Sequence, residues 1–423
     1  MDSKQMEKTL VEKFIRYVKI ESQSDEAAEI VPSTESQWEL AEVLAAELKE
    51  LGVQEVQINE YCVVQGYLPA RLENPHADIP KIGWVCHLDT ADVGLSPEVK
   101  PQIIKNYQGD IICQNKEKQM YLSPEDHPEL LKYIGDDLIV SDGTSVLGAD
   151  DKAAIANVMT VLEVLHMHPD IQHGDIYIAF VPDEEIGLRG ARKMDFDRFP
   201  VDYAYTIDCC ELGELVYETF NACAGELRVK GVSAHPMSSK GNLVNPLLVA
   251  TDFINLLDRG QTPEYTEGRE GYIWVTDMHA NATECILTFN IRDHNKEKYG
   301  SKKAYLEKCL EIVRLKHPKA EIELELSDTY GNIADTVTKE NRQCIDDLYQ
   351  AYEELAIEPI TLAMRGGTDG SYISTRGILT PNYFTGAHNF HSSAEFLPVS
   401  SLVKATQVTL KLIELSVRNY MGD

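Results

Sequence analysis

Apolar and polar residues alternate with two different periods in the first half of the chain. Short apolar runs rich in β-branched and aromatic residues predict strands within residues 81–90, 174–187 and 201–215. Between the first two runs, apolar residues recur at helical spacing over residues 150–168. The apolar stripe predicted for this helix contains Ala154, Val158, Val161 and Leu165. Strands that alternate with helices indicate an α/β fold in which helices cover a sheet.

The pattern changes after about residue 217 and changes back from about residue 333. The middle segment combines alternating, half-exposed strands with helices. We predict the strands within residues 222–236 and 282–294, and the helices within residues 244–258 and 296–316. After it, the α/β pattern returns with a helix near 340–355 and strands toward 381–386. We therefore predict two domains. One contains residues 1–217 and 333–423, and an α+β domain of residues 218–332 is inserted between its two parts.

The charge balance excludes several classes of partner. Lys and Arg number 39 against 69 Asp and Glu, so the formal net charge is −30. Such a surface repels phosphate backbones and anionic lipid headgroups, which argues against a nucleic-acid or membrane partner. No stretch approaches the roughly 18 consecutive apolar residues that a membrane helix needs.

The N-terminus and the cysteines favour a cytoplasmic location. The first 20 residues have apolar positions at helical spacing and lack the apolar core of a signal peptide. The 9 cysteines are scattered without the regular spacing of a disulfide framework, and no CxxC pair occurs. We interpret the adjacent Cys209 and Cys210 as packing residues of a protein in a reducing compartment.

Acids and histidines collect at the ends of the predicted strands, where ligands bind in open α/β sheets. The residues at these positions are His87, Asp89, Asp150, Glu184, Glu185, Asp208 and His391. Imidazole and carboxylate ligands without thiolate suit zinc, and five ligands suffice for two ions that share one carboxylate. Each residue alone has a simpler explanation. Asp150 and Asp151, for example, could serve only to cap the helix that follows them.

Seven ordered motifs then identify a family. "HLDT", "SDGTSVLGADDKAAIA", "VPDEEIG", "IDCCELGELVYETFNA", "KGVSAHPMSSKGNLVNPLLVA", "RGGTDGSYISTRGILTPN" and "FTGAHNFHSSAEF" together resemble the peptidase T branch of the co-catalytic zinc exopeptidase family. The resemblance runs over essentially the whole chain. It implies a two-domain zinc exopeptidase fold, with a mixed sheet sandwiched between helices in the catalytic domain. The inserted α+β domain would act as a lid and dimerisation domain, so we expect a homodimer.

The resemblance also implies a role for each candidate residue. It assigns His87 and Asp208 to one Zn²⁺, Glu185 and His391 to a second, and Asp150 to both. Asp89 would orient the imidazole of His87, and Glu184 would be the general base. A cis peptide bond is expected between Asp150 and Asp151.

His388 competes with His391 for the last ligand position. In the family this ligand is followed four positions later by Glu, as His391 is followed by Glu395, and an aromatic residue usually stands at position 388. We therefore predict that His391 is the ligand.

Three further residues are expected to contact substrate. The resemblance implies that His235 reaches an active site, that of the partner subunit, and hydrogen-bonds the oxyanion. It assigns Arg292 to the substrate carboxylate. The loop at 365–371 lacks the Lys-Ser/Thr of a P-loop, so we expect Gly366 to contact a peptide through its backbone.

The resemblance implies a zinc-dependent aminopeptidase that releases the N-terminal residue from tripeptides, with two Zn²⁺ per chain and a metal-bridging hydroxide activated by Glu184. The shared metal site leaves related chemistries open, namely a zinc dipeptidase, a carboxypeptidase or an N-acyl-amino-acid hydrolase. A silent scaffold protein is the remaining alternative, and intact ligand positions argue against it.

Overall fold

The computed structural model describes residues 3–74 and 76–420, which fall into two compact units. The larger unit contains the residues up to Tyr217, Val337–Leu362 and the residues from Thr368 onward. The smaller unit contains Glu218–Thr336 and Ala363–Gly367.

The helices and strands of the described residues are numbered separately, each in chain order. The helices are α1 (Ser3–Val18), α2 (Gln37–Glu50), α3 (Ala149–Met167), α4 (Pro246–Ile254), α5 (Lys296–Lys316), α6 (Gln343–Glu354), α7 (Asp369–Thr375) and α8 (Val399–Arg418). The strands are β1 (Gln54–Ile58), β2 (Val64–Leu68), β3 (Ile82–His87), β4 (Gln102–Ile104), β5 (Ile112–Asn115), β6 (Met120–Leu122), β7 (Leu138–Val140), β8 (Ile176–Val181), β9 (Tyr203–Cys209), β10 (Glu214–Glu218), β11 (Asn221–Lys230), β12 (Tyr272–Ala280), β13 (Glu284–Asp293), β14 (Glu321–Tyr330), β15 (Ile360–Ala363), β16 (Asn382–Phe384) and β17 (Phe396–Pro398).

An eight-stranded mixed sheet forms the centre of the larger unit, in the order β1-β2-β8-β3-β9-β16-β10-β15. Strands β8, β3, β9 and β16 are parallel to their neighbours within this group, whereas β2 and β10 pair antiparallel. Every residue of β3 and β8 is buried, as expected for parallel strands covered on both faces. The parallel arrangement brings the carboxyl ends of these strands to one edge.

Helix α3 differs from its predicted form. The sequence predicts one buried stripe, but nearly every residue of the helix is buried, because it packs against α1, α8 and the central strands. Even Lys152 is buried, and its Nζ donates a hydrogen bond to the carbonyl of Ile20 at 2.7 Å. The regular helix starts after Asp150 and Asp151, whose backbone angles are not helical and whose shared peptide bond is cis.

The smaller unit is an antiparallel sheet in the order β12-β13-β11-β14, covered on one face by α4 and α5. Strand β13 shows the alternation of a half-exposed sheet, with every second residue buried. The sequence analysis anticipates β11, β13 and both helices, and it misses β12 and β14.

The observed division of the chain differs from the predicted one in two places. The smaller unit extends to Thr336 instead of residue 332, and it also includes Ala363–Gly367. Backbone hydrogen bonds account for the second difference: Phe220 N donates to Gly366 O at 3.1 Å and Met364 N to Glu218 O at 2.9 Å. Gly366 therefore belongs to the unit that carries the inserted sheet.

The structure also bears on two expectations from composition. No helix within residues 3–74 and 76–420 combines the length and apolar character that crossing a membrane requires. All nine cysteines lie in the described part of the chain and are free; Cys113 is exposed, Cys210 is half-buried and the other seven are buried.

Candidate metal centre

Three neighbouring parallel strands deliver metal-ligating residues to one edge of the large sheet. His87 is the last residue of β3, and Asp208 is the penultimate residue of β9. Glu184 and Glu185 follow β8 shortly after a bend at Pro182. The strand order β8-β3-β9 places these side chains side by side, at the edge where ligands bind in open α/β sheets.

The carboxylate of Asp150 lies between two histidines. Its Oδ1 is 2.8 Å from Nε2 of His87, and its Oδ2 is 3.0 Å from Nε2 of His391. His391 Nε2 also lies 2.8 Å from Oε1 of Glu185. The two oxygens of one carboxylate thus face two different imidazoles, which is the arrangement that a carboxylate shared by two metal ions requires.

The ligand atoms form two overlapping groups, and in each group all of them lie within 4.8 Å of one another. The first group is His87, Asp150, Asp151 and Asp208, and the second is Asp150, Glu185 and His391. Nitrogen and oxygen donors without sulfur match the ligand preference of Zn²⁺ and related divalent ions.

Asp151 is the member of these groups that the sequence analysis does not propose as a ligand. Its side chain is 1% exposed, and Oδ2 accepts a hydrogen bond from His87 N at 3.1 Å. Its other oxygen, Oδ1, is buried and has no hydrogen-bond partner among the described residues. An unpartnered buried carboxylate oxygen is costly unless a cation lies nearby, so the residues present fit a bound metal.

Burial and mutual repulsion raise the proton affinity of most of these carboxylates. Burial, reinforced by neighbouring carboxylates, raises the pKa of Asp208 and Glu184 well above the usual range. Burial and the charge of Asp150 raise the pKa of Glu185 to about 7. Burial acts in the same direction on Asp150, but its hydrogen bonds with His391 and His87 hold its pKa below the usual range. The same hydrogen bond with Asp150, together with Glu185, raises the pKa of His391 to about 11. A divalent cation would relieve this concentration of negative charge.

Asp89 connects the two sides of the site. Its Oδ1 accepts a hydrogen bond from Glu184 N at 2.9 Å, and its Oδ2 accepts one from Glu185 N at 3.2 Å. His87 Nδ1 lies 2.9 Å from the backbone carbonyl of Asp89 and 3.4 Å from Oδ1. The backbone carbonyl is therefore the nearer partner of the imidazole, and the carboxylate mainly fixes the segment that carries the two glutamates.

His388 and His391 point to different surroundings. His388 Nε2 lies 2.7 Å from the hydroxyl of Tyr133, and the His388 ring stacks on Phe396 with centroids 4.8 Å apart. The His388 side chain thus belongs to an aromatic cluster with Tyr133 and Phe396. The position of His391 beside Asp150 and Glu185 makes it the histidine available to a metal ion.

A cavity of about 580 Å³ opens onto the metal centre and includes Glu185 and His391 in its lining. Three acids that the sequence analysis does not identify also line it: Asp25, Glu26 and Asp92. The run "QSDEAAE" near the N-terminus, residues 23–29, carries two of them. Its position outside any strand end gave no signal that it lies beside the metal centre.

The remaining predicted site residues lie in the smaller unit. His235 is exposed, and its Nδ1 accepts a hydrogen bond from Met237 N at 3.2 Å. Arg292 is half-buried on β13, donates to the carbonyls of Cys223 and Ile291 at 3.1 and 2.9 Å, and has its guanidinium carbon 5.5 Å from the centre of the Tyr330 ring. Gly366 is half-buried beside Phe220. Their roles toward a substrate stay predictions.

Comparison with known proteins identifies the family. The model of peptidase family M20/M25/M40 matches residues 147–415. A peptidase T-like protein of Yersinia pestis is 50% identical over 400 residues, which are 95% of this chain and 96% of that protein. The chain belongs to peptidase family M20/M25/M40. Peptidase T of Fusobacterium nucleatum is 43% identical over 416 residues, covering 98% of this chain and 99% of that protein.

Solved structures of M20 peptidases share the fold. An aminopeptidase PepT from Bacillus cereus aligns with a TM-score of 0.73 at 22% identity, covering 97% of this chain and 99% of that one. A tripeptidase from Staphylococcus aureus aligns with a TM-score of 0.74 at 22% identity over the same fractions. The predicted family and fold class are confirmed, and the chain is a peptidase.

Proposed function

We propose that the chain is a zinc-dependent aminopeptidase that releases the N-terminal residue from tripeptides. The observation that best supports the proposal is the position of the Asp150 carboxylate, because one of its oxygens faces His87 and the other faces His391. Full-length similarity to relatives named peptidase T supports the tripeptide substrate. Related M20 peptidases act on other bonds, so the substrate is the part of the proposal that experiments must decide.

Five residues would hold two Zn²⁺ ions. They are His87 and Asp208 for one ion, Glu185 and His391 for the other, and Asp150 for both. Bound zinc supplies polarisation of the scissile carbonyl and a lowered pKa for a water molecule in the site. Asp151 belongs to the same group of ligand atoms as His87 and Asp208, so its unpartnered oxygen would stabilise positive charge there.

Glu184 is the proposed general base. Its side chain is 8% exposed, and the hydrogen bond between its N–H and Asp89 fixes the backbone that carries it. Burial raises the pKa of its carboxyl, which makes it a better proton acceptor than an exposed glutamate. It takes a proton from the attacking water and passes it to the leaving amine.

The charges around the metal centre favour a substrate with a free N-terminus. Asp25, Glu26 and Asp92 line the cavity next to Glu185. An ammonium group is attracted to these carboxylates, whereas a carboxylate or an uncharged N-acyl group is not. Arg292 would hold the C-terminal carboxylate, and Gly366 would contact the peptide backbone. Because both termini of the peptide would be bound, the length of the substrate would be limited.

The remaining parts of the proposal concern assembly and location. We propose a homodimer through the inserted unit, in which His235 of one subunit donates a hydrogen bond to the oxyanion at the active site of its partner. The net charge of −30 and nine free cysteines support a cytoplasmic enzyme without nucleic-acid or membrane partners.

The test compares an apolar tripeptide, its N-acetylated form and the corresponding dipeptide, each with and without a zinc chelator. We expect cleavage of the free tripeptide alone, loss of activity on chelation, and recovery with added Zn²⁺. Cleavage of the acetylated form would instead establish a carboxypeptidase or an acylase. If fully metal-loaded protein cleaves none of the three, the enzymatic proposal is wrong.

A further inference from the structure

Glu395 lies four residues beyond His391 and is buried, with 1% of its surface exposed. Its carboxylate points into the turn that precedes α3. Oε2 accepts hydrogen bonds from Leu147 N at 2.6 Å and Gly148 N at 2.9 Å. Oε1 accepts them from Ala149 N at 2.8 Å and Asp150 N at 3.3 Å. One carboxylate thus receives four consecutive backbone N–H groups, the last of which belongs to Asp150.

These contacts make up for a missing local cap. Gly148 occupies the N-cap position of α3 with φ of 77°, in the left-handed region that glycine adopts readily, and it has no side chain to satisfy the free N–H groups. A row of converging N–H groups at a helix start is an anion site. Here a carboxylate from a distant part of the chain fills it, so the conformation of residues 147–150 depends on Glu395.

The same glutamate stands on the loop that carries His391. His388 and Phe396 close the base of this loop, since each backbone N–H donates to the other residue's carbonyl, at 2.9 and 3.2 Å. His391 lies within the loop at φ of 59°. The carboxylate of Glu395 therefore ties the segment that carries Asp150 to the loop that carries His391.

The two ligand groups depend on this connection to different degrees. In the group of Asp150, Glu185 and His391, two of the three residues stand on segments that Glu395 joins. The other group also contains Asp150 and Asp151 from one of these segments, but its His87 and Asp208 stand on the adjacent strands β3 and β9, which pair directly with each other. Loss of the connection should thus affect the group with Glu185 and His391 more than the group with His87 and Asp208.

We propose that Glu395 is a positioning residue that sets the spacing between Asp150 and His391, and thereby the affinity of one of the two metal positions. Both carboxylate oxygens of Glu395 accept backbone N–H groups, so it would act through the backbone of Asp150 and the loop of His391. The inference rests on the proposed two-metal site.

The test measures metal binding directly on the full-length protein. Metal-free wild type, Glu395→Gln, Glu395→Asp and Asp347→Asn are titrated with Zn²⁺, and bound metal is counted after gel filtration. Asp347→Asn is the matched control, because Asp347 is 0% exposed and accepts hydrogen bonds from Gln343 and Asn419 at 2.7 and 2.8 Å, away from the metal ligands. It reports the general effect of removing a buried carboxylate from the larger unit.

We expect wild type and Asp347→Asn to bind two ions. Glu395→Gln keeps the size of the side chain but turns an amide N–H₂ toward N–H donors. It should bind one ion tightly and the second about 10- to 100-fold more weakly, with activity restored by excess Zn²⁺ at nearly unchanged KM for the tripeptide. Glu395→Asp keeps the charge, reaches less far, and should show the same selective weakening to a smaller extent.

Equal affinities of both ions for Glu395→Gln and wild type would overturn the inference, as would equal weakening of both positions. If Glu395→Gln does not fold, Glu395→Asp decides the question by the same measurement. The result is independent of the substrate, because wild type that binds two ions without cleaving any peptide contradicts the proposed function and leaves the metal comparison intact.

Discussion

The two units hold their predicted site residues in opposite ways. In the larger unit, candidate metal ligands contact one another: Asp150 lies between two histidines, His391 also contacts Glu185, and Asp89 holds the backbone of both glutamates. In the smaller unit, His235 is exposed with one local hydrogen bond, and Arg292 donates to backbone carbonyls of its own sheet. The candidate metal ligands are thus gathered within one unit, whereas the roles proposed for His235 and Arg292 require a bound substrate.

The largest effect is expected when His391, one of the two histidines in the last loop, is replaced. His391→Asn should lose the ion held with Glu185 and nearly all activity, because a ligand of the centre is gone. His388→Phe is the control: it keeps the ring packed on Phe396 and loses the contact with the hydroxyl of Tyr133. We expect it to retain both ions and near-normal turnover, at a cost of about 1–3 kcal/mol in stability. Metal analysis, peptide hydrolysis and thermal unfolding check both; metal loss in His388→Phe would contradict the assignment.

Glu184→Gln separates chemistry from metal binding. The variant keeps the shape of the side chain but has no carboxylate to accept the proton of the attacking water. We expect both ions to remain and kcat to fall by about 10²- to 10⁴-fold. Metal content and steady-state kinetics on the same preparation check this. Normal turnover of metal-loaded Glu184→Gln would remove Glu184 from the role of general base.

Metal affinity should rise with pH. In the metal-free protein the hydrogen bond with Asp150 raises the pKa of His391 to about 11, so the imidazole carries a proton at neutral pH. This pair stabilises the metal-free fold fully below about pH 6.5, the pKa of an unfolded histidine, and the stabilisation declines as the pH rises from there to about 11. Zn²⁺ requires the neutral imidazole, so its apparent affinity should increase about tenfold per pH unit for each proton displaced. Titration calorimetry from pH 6 to 8, in buffers of different ionisation enthalpy, measures the released protons; an affinity independent of pH would contradict this prediction.

The smallest effect is expected for Arg292→Lys, which tests the substrate-gripping role of the smaller unit. Lysine keeps the charge but loses the two parallel donors that fit a carboxylate. We expect KM for the tripeptide to rise about tenfold with little change in kcat, and no comparable rise for the tripeptide amide. Arg228→Lys is the matched control, since Arg228 lies on the same sheet and pairs with Glu226 and Glu284. Equal effects of the two substitutions on both substrates would point to a structural role only.

The sequence predicts which residues gather at the candidate metal centre, because several of them follow buried apolar runs. His87, Glu184 and Asp208 each mark the end of such a run, and parallel strands of one sheet bring these ends together. What escapes the sequence analysis depends on backbone contacts over long distances. Nothing in the sequence indicates that Glu395 binds four N–H groups some 245 residues away, and the acid at Asp25 lies far from any strand end.

The two strands that the sequence analysis does not predict, β12 and β14, differ in the pattern of their residues. Strand β12 lies at the edge of its sheet and is mostly exposed, so apolar residues such as Trp274 and Met278 follow no period set by burial. Strand β14 does alternate in its first six residues, "EIELEL", so its own sequence carries a strand signal. Helix α3 shows the reverse problem, since a helix buried on nearly all sides has no polar face to define its stripe.

The distribution of the free cysteines has a practical consequence. Because Cys113 on β5 is exposed while seven of the other eight thiols are buried, a thiol-reactive fluorophore added briefly to the native protein should attach mainly there. A second dye on a cysteine introduced at the exposed Lys240 of the smaller unit would then give an energy-transfer pair. Such a doubly labelled protein would report directly whether the two units approach each other when a peptide binds.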